Sequence, residues 1–163
     1  MSTLPASYYI ESLLMQPHPE GGYYKEVFRS RQEIIRVGEA EVKQACTSIY
    51  YLLQAGDYSG FHRLKSDEIW YFHKGEPLHI HAIDGEGNHI KHELSDAATG
   101  SFSIVIPAGF WFASEVGAET GFSLVSCAVA PGFDFSEFEM AEKIVMLTAY
   151  PQHAAILNKL CRL

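Results

Sequence analysis

Positive charge is scarce in this chain: 12 Lys and Arg stand against 20 Asp and Glu, a net charge of −8 over 163 residues. Nucleic-acid binding needs clustered Lys and Arg to neutralise phosphates, so this balance argues against a nucleic-acid partner. No apolar run is long enough to span a bilayer, and the start lacks a basic-then-apolar leader; no membrane partner is expected, and the expected compartment is the cytoplasm. Cysteine is sparse as well. Cys46, Cys127 and Cys161 are odd in number, far apart and form no CxxC pair, which points to reduced thiols rather than a disulfide framework. Cys127 sits in an apolar run, 122–130, and reads as buried packing rather than a nucleophile. Repeats, low-complexity tracts and linkers are absent too, so residues 1–163 read as a single domain, long enough to bury a core without staples.

What the chain has in quantity is aromatic and apolar surface. Hydrophobic residues make up 47%, including ten Phe and nine Tyr, a composition that suits a closed β-barrel filled by flat side chains. Tyr9, Ile10, Leu13 and Leu14 have helical spacing, so a helix is expected over about 5–15, ended by Pro17 and Pro19. Short β-rich runs follow at 23–28, 47–53, 68–73, 78–83, 102–106 and 122–130. Their breaks are Gly56-Asp, Ser59-Gly60, Lys74-Gly75, Asp84-Gly85-Glu-Gly87 and Pro107-Ala-Gly109. Many short strands without crossover helices indicate an all-β fold with an antiparallel barrel over about 23–130. The tail turns helical over about 136–160. Ser136-Glu-Phe-Glu139 has the pattern of a capping box, Phe138, Ala141, Ile144, Val145 and Thr148 form a stripe, and Pro151 suits the first turn of a second helix bearing Ile156, Leu157 and Leu160.

One segment concentrates chemistry: Gly56-Asp-Tyr-Ser-Gly-Phe-His62-Arg-Leu64-Lys-Ser-Asp-Glu68-Ile-Trp-Tyr-Phe-His-Lys-Gly75. On neighbouring strands, His62 and Glu68 can enter one cavity, where they could ligate a metal or act as a base and its orienting partner. Strand alternation from Glu68 turns Trp70 and Phe72 inward. Arg63, Lys65 and Asp67 beside them read as a solvated cluster whose basic members could meet an anion at the rim.

The spacing of Gly56, His62, Glu68 and Gly75 resembles the first motif of the cupin superfamily, and Pro107-Ala-Gly109 the core of its second. His18-Pro-Glu-Gly-Gly-Tyr23, Thr47-Ser-Ile-Tyr50, the stretch 61–75, Ile106-Pro-Ala-Gly-Phe-Trp111 and the stretch 125–139 resemble a small stand-alone cupin subfamily, labelled sugar-epimerase-like or of unknown function. The resemblance implies a jelly-roll β-barrel with an N-terminal helix and C-terminal helices, a small-molecule ligand and a homodimer. Metal-binding cupins place further histidines where this chain has Leu64 and Phe112, so no metal cofactor is expected at the usual site. An alternative site relocates the metal to His62, Glu68, His79 and His81, because Leu78-His79-Ile80-His81 puts both histidines on one strand face.

The remaining ligand-binding candidates are Ser48, which shares a face with Tyr50, together with Trp111, Phe112 and Glu20 of the His-Pro-Glu-Gly-Gly run. Four functions stand open, the last a barrel whose main role is self-association. One is a binding barrel for a sugar, nucleotide-sugar or other small molecule. The second is a metal-independent sugar-nucleotide epimerase with His62 as base, Glu68 setting its tautomer, and Tyr50 or Tyr71 as acid. The third is a metal-dependent enzyme using the relocated site.

Overall fold

The computed structural model describes residues 4–162. Two antiparallel sheets face each other. The first runs in the order β1 (Gln16–Pro17), β2 (Tyr23–Arg29), β5 (Thr47–Gln54), β12 (Phe122–Ala130), β7 (Asp67–Gly75), β10 (Ser103–Ile106). The second runs β13 (Phe138–Met140), β6 (Tyr58–Leu64), β11 (Trp111–Val116), β8 (Leu78–Ile83), β9 (His89–Leu94). A separate hairpin, β3 (Glu33–Ile35) and β4 (Val42–Gln44), projects from the barrel. This is the jelly-roll architecture expected from the strand spacing and the resemblance.

The core between the sheets follows strand parity. Tyr51 and Leu53 of β5, Trp70 and Phe72 of β7, Leu78 and Ile80 of β8, and Phe112 and Val116 of β11 meet in one buried cluster. Burying each such side chain contributes roughly 1.5–3 kcal/mol, so apolar packing, not the few buried polar groups, holds the barrel together. The outer faces are covered in turn. Helix α1 (Ala6–Ser12) packs with Met15 over Leu52 and Leu124. Helices α2 (Lys143–Ala149) and α3 (Ala154–Leu160) bring Met146, Leu157 and Leu160 onto Phe61, Ile83 and Ala113.

Three sequence expectations change here. Ser59-Gly60 is not a break but lies inside β6. The capping box does not form: Asp134 accepts from the Ser136 amide at the start of a short 3-10 turn over Phe135–Glu137, and Glu139 instead binds Arg63 Nε at 2.8 Å. The chain then pairs with β6 as β13 before turning helical at Lys143, because a free strand edge on β6 outcompetes a local cap. The helical stripe is consequently out of phase, with Ile144 and Val145 exposed and Met146 buried in their stead.

Candidate functional site

The His-Pro-Glu-Gly-Gly run builds the floor of the site. Gly21 and Gly22 take φ of +117° and +67°, a region closed to most side chains, and a Cβ at Gly21 would collide with the Tyr58 carbonyl. Several bonds fix the loop: Gly60 N–H to the Glu20 carbonyl (2.8 Å), Arg162 Nε to the same carbonyl (2.6 Å), Tyr51 Oη to the Gly21 carbonyl (2.8 Å) and Gly22 N–H to Asp57 Oδ2 (3.0 Å). So held, the loop turns the Glu20 side chain into the barrel, buried at 6% exposure.

There it meets His62. The imidazole Nδ1 lies 2.7 Å from the Gly60 carbonyl, which can only accept, so Nδ1 carries a proton. Nε2 faces Glu20 Oε2 at 3.2 Å, and His18 Nδ1 lies 3.6 Å from the same oxygen. Burial pulls His62 down to about 4, partly opposed by its bond to Gly60, and pushes Glu20 upward against the influence of His18. His62 is therefore uncharged near pH 7, with a bare Nε2 in short contact with the Glu20 carboxyl. Glu68 stands nearby, its Oε2 accepting from Trp70 Nε1 at 3.0 Å. Burial, reinforced by Glu20, raises its carboxyl to about 8.

These groups line a cavity of about 230 Å³. Its polar end is His18, Glu20, His62 and Glu68; Ile49, Tyr51, Trp70 and Val129 form much of its wall. Its mouth is built by Tyr24, Glu26 and Arg29 of β2 and by Phe133, Asp134, Phe135 and Phe138 of the segment after β12. That segment is anchored from the β3–β4 hairpin: Arg36 grips the buried Glu137 at 2.5 and 2.8 Å and Ser66 Oγ at 2.6 Å, and Lys43 Nζ lies 3.4 Å from Glu137.

The structure brings His62, Glu68, Trp70, Glu20 and Ser48 to this cavity, although the Ser48 hydroxyl is spent on the Cys127 carbonyl (3.0 Å). Phe72 and Phe112 belong to the packed core, Phe112 lying 4.1 Å from the His62 ring, centroid to centroid. The carboxyl beside His62 is Glu20, not Glu68. Tyr50 faces the opposite side of β5, against His73 and the cluster under α1, and Tyr71 is 40% exposed; neither reaches the cavity. Trp111 lies on the outer face, under the Arg63 guanidinium at 4.4 Å.

His79 and His81 point away from the cavity. The even positions Leu78, Ile80 and Ala82 continue inward after the β7–β8 turn, which leaves the histidines on the outer face of β8. His81 lies 3.4 Å from Glu115 and hydrogen-bonds His89 at 3.0 Å. They cannot join His62 and Glu68, so the relocated metal site is ruled out. At the usual metal site Leu64 and Phe112 offer no lone pairs, and among the described residues no three His, Cys, Asp or Glu are grouped to hold an ion. The donor set does not fit a divalent metal.

Sequence reasoning passed over Tyr51, Tyr24, Phe133, Phe135 and Phe138 as cavity residues. The first two follow from strand parity on β5 and β2; Phe138 was hidden by the helix expected from 136, and Phe133 and Phe135 lie in the connection just before it.

Comparison with known proteins places these features. A protein of Shewanella oneidensis is 38% identical over 98% of this chain and 99% of its own, with a TM-score of 0.90. A hypothetical protein of Leishmania major is 35% identical over 97% and 99%, with a TM-score of 0.89. An oxalate decarboxylase variant of Bacillus subtilis shares the fold alone: 18% identity over 88% of this chain and 36% of that one, TM-score 0.56. No curated protein matches the chain. Residues 7–141 match the family described as Cupin superfamily (DUF985), and the chain belongs to that family.

Proposed function

We propose that this protein binds one small organic molecule in the cavity between its sheets, with His62, Glu20 and Glu68 as the polar anchors. The observation that carries this reading is the buried Glu68 carboxyl, which faces the cavity with no cationic partner, held by a hydrogen bond from Trp70 Nε1 and by the Cys127 thiol. A buried carboxyl so placed costs free energy, and a ligand that bonds to it offsets that cost. The volume, about 230 Å³, suits a molecule the size of a single sugar ring, below the 300–1,000 Å³ range of larger ligand sites. A nucleoside diphosphate sugar is poorly served: Arg29 is the cavity's one guanidinium, and Glu26 holds it at 2.7 and 3.0 Å.

Proton transfer on the bound molecule is the second reading, favoured by one feature. His62 Nε2 is kept unprotonated while Glu68 is kept protonated, so a base and an acid share one cavity at neutral pH. Glu68 here takes the part first assigned to Tyr50. Deuterium appearing at carbon in the recovered ligand after incubation in heavy water would establish it.

The binding reading is tested by native mass spectrometry of gently purified protein and by thermal shift against a small-molecule panel. A bound mass or a stabilising compound is expected for the wild type and lost in His62→Asn and Glu68→Gln. Equal stabilisation of all three proteins would overturn it. We further propose a homodimer that covers the exposed apolar side chains Val27, Phe28, Ile35 and Val42 on β2 and the β3–β4 hairpin. Light scattering should give twice the chain mass, and Phe28→Glu should shift it toward the monomer.

A further inference from the structure

The chemical class of that molecule can be narrowed, and this step rests on the binding reading above. Four carboxyl groups line the cavity and its mouth, Glu20, Glu26, Glu68 and Asp134, against the single Arg29. Arg29 gives two hydrogen bonds to Glu26 and a third to the Phe133 carbonyl at 3.3 Å, so it has little left for a ligand anion. Among the described residues no lysine lines the cavity. Glu68 is the second observation: buried at 7% exposure and without a cationic partner, it faces the empty volume.

Between the carboxyls stand aromatic rings from both sides of the barrel. Phe133 and Phe135 are 4.9 Å apart edge-to-face, Phe138 lies 6.0 and 6.1 Å from them, and Tyr24 and Trp70 complete the enclosure. Ring faces carry negative potential and attract an ammonium group, most strongly where water is excluded. A neutral polyol lacks the charge that the ring faces and a carboxylate attract, and an anion would be repelled by the ring faces and by the Asp134 carboxylate at the mouth.

We propose that the cavity takes a small organic cation, an amine or alkylammonium compound, with its charge between the aromatic mouth and Glu68. Binding then ionises Glu68: the O–H bond breaks, the carboxylate remains beside the cation, and the proton passes to solvent. The raised Glu68 carboxyl predicts this release at neutral pH.

The test is calorimetry with two probes of the same shape: choline, and its neutral carbon isostere in which a tert-butyl group replaces trimethylammonium. We expect choline to bind at least tenfold more tightly, with proton release seen as a dependence of heat on buffer ionisation enthalpy at pH 7. Glu68→Gln, which keeps the shape and the Trp70 bond, should remove that preference and the proton release. Phe135→Leu, at a 55% exposed position where refolding is not at risk, should weaken choline about three- to tenfold. Equal affinity for the two probes would overturn the cation assignment alone. So would binding of neutral sugars with neither probe bound, and in both cases the binding reading survives. Failure of every compound in both panels would overturn both.

Discussion

Two buried histidine–carboxylate clusters lie on opposite faces of one sheet, and their difference shows what makes such a cluster a site. On the inner face of β6, His62 meets Glu20, and both border empty volume. On the outer face of β8, His81 meets Glu115 and His89, and Lys159 of α3 closes over Glu115 in an ion pair. Burial lowers both imidazoles to about 4, so protonation behaviour alone does not separate them. The surroundings do. Burial pushes Glu115 upward, but Lys159 and His81 outweigh it and hold the carboxylate low, whereas Glu68 has no cation and stays protonated. The outer cluster is closed over by Lys159 and faces no cavity, although His81 Nε2 is left without a hydrogen bond; the inner one borders empty volume.

The largest effect expected from this contrast is on binding. Glu68→Gln and His62→Asn, the latter retaining a donor for the Gly60 carbonyl, should each weaken ligand affinity at least tenfold, about 1.4 kcal/mol or more, while the circular dichroism spectrum stays strand-rich. His81→Asn should leave affinity within twofold. Comparable losses from the inner and outer variants would erase the distinction.

Next in size is the pH dependence of stability. Glu68 rises from 4.5 unfolded to about 8 folded, so between those values the native state holds the extra proton and stability falls as pH rises. His62 and His81 drop from 6.5 to about 4, so between those values the unfolded state holds the extra proton and stability falls as pH decreases. Opposing below pH 6.5 and unopposed above it, these groups place the stability maximum near 6.5. From there to pH 8 the wild type should lose on the order of 1–2 kcal/mol, measured by urea unfolding. Glu68→Gln should flatten that limb. An unchanged limb in the variant would show that Glu68 is ionised in the empty protein.

The smallest effect is structural. Removing the His81–His89 hydrogen bond with His81→Asn should cost about 1 kcal/mol, lowering the melting temperature by about 2–4 °C without changing ligand response.

The sequence made most of the inner site legible and misplaced the outer one. Period-two alternation from Glu68 placed Trp70 on the cavity wall and Phe72 in the core, because an antiparallel strand packed on one face leaves little freedom. The same rule misled at His79 and His81, where the phase had to be carried across a turn and was carried one residue out. Glu20 was nominated from its Gly-Gly neighbours, but that it, and not Glu68, would meet His62 depended on a loop fixed by Arg162 and Gly60, residues 142 and 40 positions away in the chain. Phe138 was beyond local reading, because β13 exists only where β6 offers it an edge, and Phe135 sits in the 3-10 turn that leads into it.

Ligand binding on the inner face requires His62 to be a neutral, ligand-facing base and leaves His81 a structural histidine on the outer face. Nitrogen-15 NMR of the imidazoles tests it directly. Through pH 6.5 the His62 ring should remain the neutral Nδ1–H tautomer, and a bound small molecule should shift its Nε2 resonance while leaving His81 unmoved. A His62 that titrates near 6.5, or one whose Nε2 stays fixed when ligand binds, would contradict it.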